Sequence, residues 1–78
     1  MMQRKEKVIR YRDHAEHRMA ERGISKSQVE RTLKNPDKTG PAQRPGATKY
    51  EKAISKKVRV RVIADEFPNE IWVITAWK

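Results

Sequence analysis

Apolar residues along this chain change their spacing twice. Between Asp13 and Lys34 they fall four apart, Ala15 with Met19 and Val29 with Leu33, the interval at which side chains share one face of an α-helix. From Val58 the interval becomes two: Val58, Val60, Val62 and Ala64 alternate with Arg59, Arg61 and Ile63, as in a strand with one buried face. The helical stretch carries its own punctuation. Asp13 and Glu16 have capping-box spacing, Gly23 suits a left-handed exit, Ser25 and Gln28 repeat the box, Ile24 can staple onto Val29, and Asn35-Pro36 ends the run. Two short helices, over 14–22 and 26–34, are predicted.

The text NPDKTGPAQRPGAT, residues 35–48, has prolines and glycines but no apolar period, and reads as a mobile flap. KYEKAI is a weaker strand joined through SKK to VRVRVIAD, and DEFPNE turns the chain into IWVITAWK, which is apolar on both faces. KVIRY adds a strand at the sheet edge. The outcome is one α+β domain over 1–78, with helices on one face of an antiparallel meander and Arg59 and Arg61 on the other. Trp72 and Trp77 are read as core residues in preference to base-stacking platforms, because few other bulky side chains exist to fill the interior.

Composition sharpens this. Hydrophobic residues make up 36% of the chain and charged residues 37%, so the core is thin for a chain of 78 residues. There is no cysteine, which removes disulfides and zinc-thiolate sites and fits the cytoplasm. The longest apolar run, IWVITAW, is far short of the ~20 residues of a membrane helix. Nineteen Lys and Arg against ten Asp and Glu give a formal charge of +9, which makes nucleic acid the first expected partner and an acidic protein the second.

On a helical wheel His14, Arg18 and Arg22 form a basic stripe beside the buried Ala15 and Met19. At the first helical position, near the positive end of the macrodipole and one turn from Arg18, His14 is expected to carry a neutral ring. Such a ring suits a general base or a phosphate partner; the alternative is a rim residue covering the hydrophobic edge. His17 reads as solvated. Two histidines without a third ligand nearby do not make a metal site.

The run HAEHRMAERGISKSQVERTLKNP, with KY after a loop and a closing VITAW, resembles an uncharacterised bacterial domain family. Its pattern is H-A-x-x-R-M-x-x-R-G-I-S, then V, L and N-P, then V-x-T-x-aromatic. That family is similar to RelE/ParE-type toxins, in which two N-terminal helices pack on a small antiparallel sheet. The resemblance implies an endoribonuclease toxin acting on free or ribosome-bound mRNA, or a relative without that activity, held by an acidic antitoxin. The pattern falls on His14, Arg18, Arg22, Gly23, Pro36, Tyr50 and Thr75.

Metal-independent RNA cleavage needs a base for the 2′-hydroxyl, a donor to the leaving oxygen and cations for the phosphorane. The candidates for chemistry are His14 as base, Arg18 for charge, Tyr50 as donor or stacking ring and Thr75 for phosphate orientation, with no cofactor and no metal. The candidates for nucleic-acid contact are Arg22, Lys49, Lys52, Arg59 and Arg61. The same cations would also serve a non-catalytic nucleic-acid-binding module or a basic scaffold docking an acidic protein.

Overall fold

The computed structural model describes residues 7–78. Its elements run β1 (Val8–Tyr11), α1 (Asp13–Arg22), α2 (Lys26–Lys34), β2 (Lys38–Pro41), β3 (Ala47–Ala53), β4 (Arg59–Glu66) and β5 (Glu70–Trp77). The strands make one sheet in the order β1-β5-β4-β3-β2. β1 runs parallel to β5, and every other pair is antiparallel. Both helices lie on one face, α1 over β5 and α2 over β3 and β4.

This corrects the RelE/ParE-like arrangement of two N-terminal helices on a small antiparallel sheet. A strand precedes the helices, the sheet is five-stranded and mixed, and among the described residues strand outweighs helix at 43% to 26%. The physical cause lies in VIRY. Its backbone completes the free edge of β5 while Ile9 and Tyr11 pack against the core, and Arg12 N–H continues the pairing by donating to Val73 O at 3.0 Å.

The helices fall close to their predicted limits, with one difference at the start. Arg12, not Asp13, is the N-cap of α1, and no side chain among the described residues caps it; Asp13 and Glu16 sit in the first turn, where a carboxylate meets the positive end of the dipole. In α2 the box forms as expected: Ser25 Oγ accepts from Gln28 N–H and Gln28 Oε1 from Ser25 N–H, both at 3.1 Å. Gly23, at φ 68°, turns the chain between the helices, and Ile24 N–H donates back to Met19 O at 2.9 Å.

The expected flap is also corrected. Residues 38–41 are an edge strand paired with β3, and the turn behind them is held by Ala42 N–H to Ala47 O and Ala47 N–H to Arg44 O, both 3.1 Å, with Gly46 at φ 83°. Before the strand, Asp37 locks both ways: its N–H donates to Glu51 O, and its carboxylate accepts from Ala53 N–H, each at 2.8 Å. Pro41 is tolerated because an edge strand has one side free of ladder bonds.

Val29, Val60, Val62 and Val73 are fully buried between helices and sheet, each stabilising by roughly 1.5–3 kcal/mol. Ala15, Met19, Ile24, Leu33, Tyr50, Ala64 and Ala76 complete this core. Neither tryptophan belongs to it, contrary to the sequence reading: both are only partly buried, on the other side of the sheet. Val73 and Ala76 take the core-facing positions of β5, so strand parity and the bulge between them send both indoles to the opposite face.

Candidate nucleic-acid interface

Strand alternation builds the surface opposite the helices. Val60, Val62 and Ala64 point into the core, so Arg59, Arg61, Ile63 and Asp65 point out. The register extends these across the sheet in three rows. Lys38, Glu51, Arg61 and Trp77 stand abreast; beside them run Gly40, Lys49, Ile63 and Thr75; then Ala47, Asp65, Trp72 and Arg10. A middle row that joins Lys49 and Thr75 to the apolar Ile63 thus lies between two rows that each combine an indole, a carboxylate and at least one cation.

Glu51 is the electrostatic pivot. Its carboxylate lies 3.5 Å from Arg61, 3.9 Å from Arg59 and 3.7 Å from Lys49, so three cations share one anion. Arg59 Nη1 is shielded from solvent and, among the described residues, has no hydrogen-bond acceptor. At the far end Trp72 is fixed: Nε1–H donates to Glu70 Oε1 at 2.8 Å, Arg10 Nε–H donates to Glu70 Oε2 at 3.1 Å, and the guanidiniums of Arg12 and Arg10 lie 4.5 and 5.8 Å from the ring centroid. Cation and aromatic surface are therefore presented together.

A bulge interrupts the β4–β5 ladder. Ile63 pairs with Thr75 and Ala64 with Val73, which leaves Ile74 as the extra residue. Ile74 and Thr75 consequently both reach the open face. There they join Lys49, Ile63, Trp77 and the β2–β3 turn around a cleft of about 500 Å³.

The structure separates the residues singled out from sequence. Lys49, Arg59, Arg61 and Thr75 come together on the open face. His14 and Arg18 are exposed on α1, across the sheet from them. Arg22, on the same helix, donates from Nη1 to Ala76 O at 2.9 Å and pins α1 to β5. Lys52 points to the helix side, 3.8 Å from Asp37. Tyr50 is in the core, donating to Glu66 Oε1 at 3.0 Å; burial first, then this bond to a carboxylate, pushes its phenol up to about 12. Lys7 and Tyr50 together hold the Glu66 carboxyl below its ordinary range. Sequence reasoning preferred the core to a base-stacking position for Trp72 and Trp77, and did not single out Ile74, Arg10, Arg12 and Arg44 as members of this face.

A family model described as a domain of unknown function (DUF4258) matches residues 11–78. The chain belongs to the DUF4258 family. The DUF4258 match takes in both helices, β2 to β5 and all of the three rows except Arg10. It agrees with the uncharacterised domain family suggested by the helical motif and carries nothing of the likeness to RelE/ParE-type toxins. No curated protein and no solved structure matches the chain. Among the described residues no helix is long and apolar enough to cross a membrane.

Proposed function

We propose that this domain binds single-stranded RNA along the sheet face that its helices leave open. The observation that supports this reading is the placement of Trp72 and Trp77 on that face, in rows with Arg10, Arg61 and Lys38. Cations alone would suit any polyanion, an acidic protein included. Indole faces add affinity for unpaired bases, whose π surfaces are free only in single strands. Arg59, Arg61 and Lys49 supply phosphate contacts. Catalysis is not part of the reading, because His14, Arg18, Tyr50 and Thr75 occupy three separate places: the outer side of α1, the core and the open face.

The test is a titration of the protein with labelled 12-mer RNA, the matching DNA and an RNA duplex, at 50 to 200 mM salt. RNA should bind best among them, quench tryptophan fluorescence and lose affinity with salt by about 0.7 log units per log salt for each phosphate contacted. Arg59→Gln with Arg61→Gln should flatten that slope by about one such unit per residue lost. Affinity indifferent to salt, or preference for the duplex, would overturn the proposal. Gel analysis of the same mixtures reads cleavage directly, and an acidic peptide displacing RNA without tryptophan quenching would point to a protein partner instead.

A further inference from the structure

We propose that the cleft between the β2–β3 turn and the Ile74 bulge is a pocket for one unstacked ribonucleotide, taking the base on an apolar floor and its phosphate at the rim. This rests on the reading of the open face as an RNA surface and names the unit it recognises.

The cleft holds about 500 Å³, within the span of roughly 300–1,000 Å³ typical of small-ligand sites. Ile63, Ile74 and Trp77 line it with flat or branched apolar surface, and Lys49 and Arg44 stand at its edge. Both cations are available. Lys49 is 40% exposed and only 3.7 Å from Glu51, and Arg44 is 59% exposed and 3.9 Å from Asp65, so each holds its carboxylate loosely and can swing to a phosphate. Among the described residues the Thr75 hydroxyl has no hydrogen-bond partner, leaving it free for a base edge or the ribose 2′-hydroxyl.

Each half of this lining excludes a simpler occupant. A purely apolar ligand would use neither the Lys49 ammonium nor the Arg44 guanidinium beyond their loose carboxylate pairs, and a free phosphate would use neither the indole nor the two isoleucines. A nucleotide uses both. The bulge is what assembles the site: in a regular strand Ile74 and Thr75 would point to opposite faces, and the extra residue turns both toward the cleft.

The experiment is a ¹⁵N-resolved NMR and fluorescence titration of the intact chain with a ribonucleoside 5′-monophosphate, the parent nucleoside, the deoxyribonucleoside 5′-monophosphate and inorganic phosphate. The ribonucleotide should shift the amides of Arg44, Ile74 and Thr75 and quench Trp77, binding more tightly than the other three probes. Trp77→Ala should weaken it by about 5- to 100-fold, the usual worth of one stacked base, while Trp77→Phe retains most of the affinity. Thr75→Val, which keeps the side-chain shape, should reduce the preference for ribose over deoxyribose. Shifts confined to Arg59 and Arg61, or a Trp77→Ala protein that folds and binds the monophosphate normally, would overturn the pocket. If a 12-mer RNA still binds with an Arg59- and Arg61-dependent salt slope while no monophosphate enters the cleft, the pocket falls and the RNA face stands. If neither binds, both fall.

Discussion

Arg61 and Trp77 stand opposite each other across β4 and β5, on the sheet face that neither helix covers. Glu51 approaches the same guanidinium from β3 at 3.5 Å. The carboxylate holds in place the charges that a phosphate would need.

Glu51→Gln removes that competition. RNA affinity at 50 mM salt should rise by roughly 2- to 10-fold, with less gain at 200 mM, since loose pairs near solvent are each worth at most about 1 kcal/mol and are screened. Fluorescence titration at the two salt concentrations measures both effects. Weaker binding would show Glu51 to be an organiser of the cations and not their competitor.

His14→Ala should leave RNA affinity within about twofold, because His14 is exposed on α1 and the open face lies across the sheet. One exposed imidazole would add little to several ionic contacts made on the other face of the sheet. A large loss of affinity in the titration would extend the interface onto α1, and RNA cleavage abolished by the same change would restore His14 to a catalytic role.

Tyr11, partly buried, and Tyr50, in the core, give a pH signature. Tyr11 and Tyr50 are both raised from 10.0 to about 12, in each case chiefly by burial, with Glu30 and Glu16 adding to Tyr11 and Glu66 to Tyr50. A raised folded-state value means their stabilising contribution is complete below pH 10 and disappears as pH climbs from 10 to 12. Phenolate absorbance should therefore lag behind that of free tyrosine, and the denaturation midpoint should fall across that window. Tyr50→Phe should cost about 0.5–1.5 kcal/mol by losing its bond to Glu66, whereas Tyr11→Phe should be neutral or slightly stabilising, since the Tyr11 hydroxyl is buried without a partner among the described residues. Urea titration of the two variants measures the difference.

Amide exchange tests the β2–β3 hairpin. The N–H groups of Asp37, Ala42 and Ala53 are all bonded, to Glu51 O, Ala47 O and the Asp37 carboxylate, and should exchange far more slowly than an open loop. Gly46→Ala should destabilise the protein by about 1 kcal/mol or more, because φ of 83° strains any side chain there. Rapid exchange at Ala42 and Ala53 would mean that the pairing does not persist in solution.

The parts legible in sequence are those where a side-chain period and a local signal agree. Ser25 with Gln28, Gly23 and the Val60–Val62–Ala64 alternation each fix their element without help from distant residues. β2 was illegible because an edge strand draws its stability from backbone pairing with β3, and KTGP has no period to reveal that. The orientation of β5 was hidden twice over. IWVITAW is apolar on both faces, and the bulge at Ile74 breaks the alternation between Val73 and Ala76, which both point inward. A usable signal was Ala76: a small residue flanked by Thr75 and Trp77 marks where a helix comes close, and it turns Trp77 outward. The candidate site was legible at Arg59 and Arg61, whose parity is unbroken, and illegible at the tryptophans, whose parity is not.

The parallel pairing of β1 with β5 has a kinetic side. Arg10 and Glu70 meet across 60 residues of sequence, while the β2-to-β5 meander closes through short turns. Closing a loop of that length costs roughly 3–4 kcal/mol of chain entropy, which four strand residues must offset. The meander can assemble first, from near neighbours, and β1 docks only onto a finished β5. By the same reasoning β1 is the first strand to leave when the protein opens, and each departure frees the outer backbone of β5 while the Lys49–Ile63–Thr75 row remains intact.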